Sequence, residues 1–183
     1  MRYPFLSILF LIVLLTSCAI PKQDKETAKK VAQEIKDRKI KRITANQLTQ
    51  WVYEKGHLIA ESSQKALERE IEQNTKEKDT NIQAIFDEIS TLSVEDSLAK
   101  AYKATIKKVS FRNPPKNIEG KEQEIFEAYL YALENKEKLA YNILTIEKQD
   151  KIYLLFTLPI LIQEQTLGMW SVLFSKKEAV LMM

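Results

Sequence analysis

One histidine and one cysteine carry most of the reactive chemistry available to this chain of 183 residues. The histidine, His57, could serve as a haem ligand or a general base, because imidazole exchanges protons near neutral pH. A zinc site or a catalytic triad would need partner residues, and the sequence supplies none at a recognisable spacing. His57 stands beside Gly56 inside a helical pattern, which favours a surface or packing role.

Arg112 and Asn113 form a second candidate site. An arginine fork binds carboxylates and an asparagine amide both donates and accepts, so the pair suits an anionic ligand. Pro114 and Pro115 follow directly and end any regular structure. The alternative is therefore that the pair satisfies backbone groups in a turn that the prolines shape. The sequence contains no Gly-x-Ser-x-Gly, Walker or His-Glu-x-x-His motif, and we expect no enzyme.

The N-terminus predicts a signal peptide that ends at Cys18. Arg2 provides a short basic region, and Phe5 to Leu15 is an apolar run of about eleven residues, roughly half of what a transmembrane helix needs. The tetrapeptide Leu15-Thr16-Ser17-Cys18 resembles the lipobox of bacterial lipoproteins. The resemblance implies cleavage before Cys18 and attachment of lipid, such as palmitate, to its thiol. Residues 1–17 are thus the expected leader, and residues 18–24 the lipidated cysteine and its tether.

Lipidation of Cys18 would also limit the chemistry of the rest of the chain. Several acyl chains hold a protein on a membrane far more firmly than one. With its only thiol acylated, the mature protein could form no disulfide, thiolate nucleophile, cysteine–zinc site or iron–sulfur cluster. Ala19 follows instead of an aspartate, which favours the outer membrane over the inner one. We expect a cell-envelope lipoprotein that faces the periplasm or the exterior.

Composition indicates a globular domain without a nucleic-acid partner. Hydrophobic residues make up 45% and charged residues 29%, and the net charge of +3 is too small for nucleic-acid binding. Acidic pairs at helical spacing, such as Glu68 with Glu72 and Glu134 with Glu137, are surrounded by lysines and are interpreted as solvated ion pairs.

Helical periodicity extends from about residue 25 to 78, and Gly56 is a point where this helix could kink or split. A second stripe covers Ile82 to Leu92, and Ser93 is the expected N-cap of the next helix. This helix either continues through Ile106 or gives way to a strand near Val109. A further helix is expected from Glu122 to about Lys136. Trp51, Tyr129, Tyr131, Tyr141 and Trp170 could line a pocket, but their spacing favours the core.

The last third of the chain changes to branched and aromatic residues, which favour strands. Leu139 to Glu147, Ile152 to Ile162 and Thr166 to Phe174 are the expected strands, with a turn near Gln149-Asp150. Pro159 indicates an edge or a bulge. The expected fold is α+β, with N-terminal helices packed on a C-terminal antiparallel sheet.

Three segments resemble the periplasmic PAS-like domain that binds c-type haem in exported sensors. They are Gly56 to Ser63, the run from Val109 to Pro114 with Asn117 and Glu122 after it, and Leu167 to Val172. The resemblance implies a single PAS-like domain over residues 25–178. The family attaches haem through Cys-x-x-Cys-His, but here Pro159-Ile160 runs almost directly into Leu167-Gly168, and Ser63 replaces the family's helix cysteine. The chain is therefore interpreted as a degenerate member without covalent haem.

These observations leave three functional hypotheses. The first is a non-enzymatic lipoprotein whose PAS-like domain binds a small ligand or docks onto a partner, with Arg112, Asn113 and His57 as candidate ligand-binding residues. The second is a redox or gas sensor that holds haem b without covalent bonds, with His57 as its axial ligand. The third is a structural envelope lipoprotein whose long helix binds a protein partner. No metal and no nucleic acid are expected.

Overall fold

The computed structural model describes residues 27, 29, 43–77, 81–116, 118 and 120–183. The chain divides into two units, Met1–Arg42 and Ile43–Met183, and the second contains the elements named below. The predicted leader over residues 1–17 and the tether over residues 18–24 lie outside the described residues, as does Cys18.

Four antiparallel strands form one sheet, which confirms the α+β class. They are β1 (Ala104–Ser110), β2 (Asn142–Lys148), β3 (Lys151–Ile162) and β4 (Gln165–Ser175), in the spatial order β1-β4-β3-β2. Of the two alternatives predicted near Val109, a continued helix or a strand, the structure has the strand. This strand, β1, pairs directly with β4. Because β1 precedes a helix, helices and strands are less segregated along the chain than expected.

Tight two-residue turns connect β2 to β3 and β3 to β4. The first lies at Gln149 and Asp150, as predicted, and the second at Gln163 and Glu164. All four residues have positive φ, between 47° and 68°. This left-handed pair is the turn that matches the twist of antiparallel strands, although glycine or asparagine is the usual choice there.

The long helix α1 (Ala45–Glu77) runs unbroken for 33 residues, so the expectation of a kink or split at Gly56 is wrong. A Cβ atom on Gly56 would lie 2.4 Å from the Phe156 ring, so the missing side chain lets α1 approach β3 closely. Val52, Ile59 and Leu67 are fully buried, whereas Leu58 on the same helix is 40% exposed.

Four shorter helices complete the described unit: α2 (Ile82–Glu88), α3 (Ser93–Tyr102), α4 (Lys121–Glu134) and α5 (Lys176–Met182). The N-cap of α3 is Leu92 rather than Ser93. The Glu95 carboxylate accepts a hydrogen bond from the Leu92 backbone N–H at 3.4 Å, which satisfies one unpaired donor of the first turn. The helix α5 was not predicted.

Both faces of the sheet carry apolar cores. One face packs against α1, with Phe156, Trp170 and Phe174 almost fully buried. The opposite face packs against α4 through Ile125, Phe126 and Tyr129.

Pro159 lies in the part of β3 that extends beyond its pairing with β2, which ends at Thr157. A register shift follows between Ile160 and Leu161. Proline has no backbone N–H to donate. Because no β2 residue stands opposite Pro159, no hydrogen bond to β2 is lost. The expectation of an edge or bulge at Pro159 is confirmed.

Candidate functional site

Cys18, the predicted lipidation site, lies outside the described residues. Within the described ranges, no helix combines the length and apolar character that crossing a membrane requires.

His57 lies in a cage of aromatic rings between α1 and the sheet. Its ring centroid is 4.5 Å from that of Tyr53, 5.1 Å from Phe156 and 5.4 Å from Tyr141, all in edge-to-face or T-shaped geometry. Tyr141 and Phe156 stack nearly parallel, with an interplanar angle of 15°. The cage explains why a histidine tolerates this partly apolar position, because aromatic edges and faces attract each other.

The Nε2 atom of His57 is buried and has no hydrogen-bond partner in the described part of the chain. The same holds for the Oγ atom of Ser63, which follows His57 by six residues on α1. A buried polar atom without a partner loses its hydration, at a cost of about 1–3 kcal/mol. The packing role predicted for His57 fits the cage. Packing alone does not explain why the protein tolerates the free-energy cost of the unpaired nitrogen.

The residues around His57 do not fit an axial haem ligand. A haem iron needs an accessible imidazole nitrogen and a slot for the macrocycle beside it. Here the Nε2 atom is enclosed by protein, and the rings of Tyr53 and Phe156 occupy the space next to the imidazole. Haem binding would require the cage to open, so we derive no haem chemistry from this site.

Arg112 and Asn113 end up in different environments. The Asn113 amide donates to Asp87 Oδ2 at 2.7 Å, and Ser110 Oγ donates to Asp87 Oδ1 at 2.6 Å. The backbone N–H groups of Arg112 and Asn113 both donate to Ser110 Oγ. Asn113 therefore fixes the loop after β1 to α2, whereas the Arg112 side chain is exposed and unpaired within the described residues.

A polar row crosses the sheet beneath α4, and the sequence did not reveal it. The strand register aligns one polar residue from each strand, in the order Lys107, Ser171, Thr157 and Asn142. Thr157 and Ser171 are at most 2% exposed. We call these four residues the polar row.

Two residues of α4 bond to the polar row. Ser171 Oγ donates to Glu122 Oε1 at 2.5 Å, and Lys107 Nζ lies 3.4 Å from Glu122 Oε2. Tyr129 Oη bonds to Thr157 Oγ1 and accepts from Asn142 Nδ2, each at 3.1 Å, and donates to the Ala140 carbonyl at 2.7 Å.

The spacing of these two residues gives the direction of α4. Glu122 and Tyr129 are seven residues apart, about 10 Å along a helix, and two strand spacings also measure about 10 Å. The helix therefore crosses the strands, with its first turn over β1 and β4 and its later turns over β3 and β2. Burial raises the pKa of Tyr129, while its bonds to Thr157 and Asn142 oppose the shift. The phenol therefore stays protonated, and its hydrogen bonds hold α4 against β2 and β3.

Lys108 faces the other side of β1, against α2. Its ammonium group donates to the Phe86 carbonyl and lies 4.0 Å from the centroid of the Phe86 ring. Burial lowers the pKa of Lys108 to about 8, and the charges of Asp87 and Glu95 oppose this change. Burial also raises the pKa of Glu95.

An open cleft of about 320 Å³ lies between the last turns of α1 and the β3–β4 turn. Its lining residues are Glu68, Ile71, Glu72, Thr75, Ile162 and Gln163. Ile71 and Ile162 form a nearly buried apolar floor, and the two glutamates stand one helical turn apart on the rim. Glu68 accepts a hydrogen bond from Gln64 at 2.8 Å, and neither glutamate pairs with a lysine among the described residues. The interpretation of Glu68 and Glu72 as an ion-pair cluster is thus wrong.

The aromatic residues expected in the core divide into two groups. Trp51, Tyr129 and Trp170 are buried, whereas Tyr131 is 64% and Tyr141 44% exposed. Among the described residues, no group of histidine, cysteine and acidic side chains could hold a metal ion.

Comparison with known proteins produced no match among family models, curated proteins or solved structures.

Proposed function

We propose that this chain is a lipoprotein of the cell envelope, anchored in the outer membrane by lipid on Cys18, whose α+β domain is a PAS-like binding or sensory module and not an enzyme. The anchor rests on the apolar leader and on Leu15-Thr16-Ser17-Cys18. The module is interpreted as a PAS-like domain that has lost covalent haem, because its only cysteine lies in the lipobox.

Two glycines of the resembling segments have a clear packing role. Gly56 and Gly168, which belong to two of the resembling segments, are both sites of close approach. A Cβ atom on Gly56 would collide with the Phe156 ring, and one on Gly168 would lie 2.1 Å from the Val109 carbonyl oxygen. A side chain at either position would force α1 away from β3 or β1 away from β4.

The cleft between α1 and the β3–β4 turn carries the ligand-binding proposal. Its volume of about 320 Å³ falls within the range of small-molecule sites, about 300–1,000 Å³. An apolar floor from Ile71 and Ile162 with Glu68 and Glu72 on the rim suits a ligand with a short apolar body and a cationic group. Arg112, Asn113 and His57 lie outside its lining, so the ligand site differs from the one that the sequence suggested.

Short alkyl probes of opposite charge test this proposal. We expect butylamine to raise the thermal unfolding temperature of the full chain, and butyrate and butanol, which share its alkyl stem, to have a smaller effect. Glu68→Gln combined with Glu72→Gln should abolish the difference between amine and carboxylate.

The matched control combines Glu61→Gln with Glu70→Gln, two exposed positions on the same helix that do not line the cleft. This pair removes the same charge and should preserve the selectivity for the amine. Equal stabilisation by all three probes, or equal loss in both double variants, would contradict the proposed cleft.

A structural envelope lipoprotein that binds a protein partner is the second candidate function. The observation that favours it is the outer edge of β2, to which no strand is hydrogen-bonded in the described part of the chain. Unpaired strand edges readily pair with another chain.

A further inference from the structure

We propose that β2 is a self-association edge, through which two copies of this chain join their sheets in antiparallel fashion about a twofold axis near Thr145. The inference concerns a different surface from the cleft, and it deepens the second candidate function by making a second copy of this chain the partner at the β2 edge.

The two edges of the sheet differ in how they resist pairing. Strand β1 carries Lys107 and Lys108 at its centre. Antiparallel pairing of two β1 strands about their centre would place lysine opposite lysine, and like charges in that position destabilise a sheet. Lysines on an edge strand are a common protection against such pairing. Strand β1 is therefore a poor self-association edge.

Strand β2 has no such protection over its first five residues, Asn142 to Ile146, which include neither a charge nor a proline. Antiparallel pairing about Thr145 places Leu144 opposite Ile146 of the second copy. The same register places Glu147 opposite Ile143 and Lys148 opposite Asn142, so no like charges meet. The sequence of β2 is thus compatible with a copy of itself, as an interface around a twofold axis requires.

Exposed apolar side chains also gather on this side of the molecule. Six large hydrophobic residues are exposed among those described. Two of them lie close to β2: Tyr141 directly before the strand, and Ile152 opposite Glu147 on the neighbouring strand. A second copy paired through β2 would approach these side chains and reduce their contact with water.

Sedimentation velocity of the full chain in detergent tests the proposal with a matched pair of variants. Thr145 and Thr105 are both exposed threonines, one on each edge strand. We expect the wild-type chain to sediment as a dimer. Thr145→Lys should raise the dissociation constant about 100-fold, because two lysines would then face each other at the axis. Thr105→Lys introduces the same residue on β1 and should leave the dimer unchanged.

Both variants should keep the wild-type circular dichroism spectrum, since each threonine is exposed. If Thr145→Lys unfolded the chain, the backbone amides of β2 that are not hydrogen-bonded to β3 in the wild-type protein would decide. Their hydrogen exchange should slow as the protein concentration rises through the dimer range. A wild-type monomer, a dimer that Thr145→Lys leaves intact, or exchange that is independent of concentration would each overturn the proposal.

Discussion

Two buried serines show how differently a hydroxyl group can stand in the interior of this protein. Ser171 on β4 donates a hydrogen bond to Glu122, so its hydroxyl group has a partner. Ser63 on α1 is 0% exposed and its Oγ atom has no partner in the described part of the chain. Partnered polar atoms contribute modestly to stability, whereas unpaired ones cost free energy.

We expect Ser63→Ala to raise the free energy of unfolding by about 1 kcal/mol, because alanine removes the unpaired hydroxyl and favours the helix. Ser171→Ala should have the opposite effect, a loss of about 1–3 kcal/mol, because it takes a donor from the buried Glu122 carboxylate. Urea denaturation followed by circular dichroism measures both. A destabilised Ser63→Ala variant would show that the hydroxyl has a partner after all.

Lys108 predicts how stability depends on pH. Burial lowers the pKa of Lys108 to about 8, from 10.5 for an ordinary lysine. Between these two values the unfolded chain holds a proton that the folded chain has released. The contribution of Lys108 to stability should therefore rise as the pH increases from 8 to 10.

Denaturant titrations at pH 8, 9 and 10 measure this slope. In Lys108→Met the free energy of unfolding should rise less between pH 8 and 10 than in the wild-type protein. The exposed Lys100 of α3 provides the control, and Lys100→Met should keep the wild-type slope. Equal slopes in all three proteins would contradict the assignment to Lys108.

At the scale of elements, close packing of α1 on β3 decides the role of Gly56. In an exposed helix interior, alanine is more stable than glycine by about 1 kcal/mol. Here the Cβ atom would enter the Phe156 ring, at 2.4 Å from its nearest atom. Phe156 is fully buried and stacks with Tyr141, so it has little room to move.

Gly56→Ala should therefore lower the free energy of unfolding by about 1–3 kcal/mol, the usual cost of overpacking a core. The cost should shrink when Phe156→Leu is added, since a smaller side chain makes room for the methyl group. Thermal and urea unfolding of the four proteins in this cycle give the coupling energy. Additive effects of the two changes would mean that the methyl group and the ring do not meet.

For the molecule as a whole, the proposed anchor and the proposed module depend on different parts of the chain. The sheet with its two helical layers accounts for stability, and residues 1–18 would account for location. We therefore expect location to depend on one thiol and folding to be independent of it.

Cys18→Ser should abolish labelling of the full chain with radioactive palmitate, because serine cannot take the diacylglycerol thioether. The protein should then remain at precursor size and retain the circular dichroism spectrum of its folded domain. Fractionation of cells into membrane and soluble parts, with gel mobility, checks this outcome. Ser17→Ala, which keeps a small residue before the cysteine, should be labelled and processed normally. Palmitate incorporation into Cys18→Ser would show that the lipid is attached elsewhere.

Much of the fold could be predicted because its determinants are local. Apolar spacing predicted α1 and α4, branched residues predicted β2, β3 and β4, and Pro114-Pro115 predicted the break before α4. The N-cap of α3 shifted by one residue, from Ser93 to Leu92, although its partner Glu95 is also local, three residues along the chain. The α+β class follows from these local patterns, whereas the PAS-like identity remains a proposal.

The sequence by itself determined which chemistry is available: one thiol inside a lipobox-like motif, one histidine, and few glycines. Only the tertiary structure decided what surrounds the histidine and the candidate residues of the β1 loop. His57 proved to stand in an aromatic cage made by residues far away in the chain, and Asn113 to bond to α2. The polar row exists because strand pairing aligns Lys107, Ser171, Thr157 and Asn142, and such register is set by contacts between distant segments. Lipid attachment to Cys18 stays a prediction from the sequence alone, because such a signal is recognised as a short segment and needs no fold.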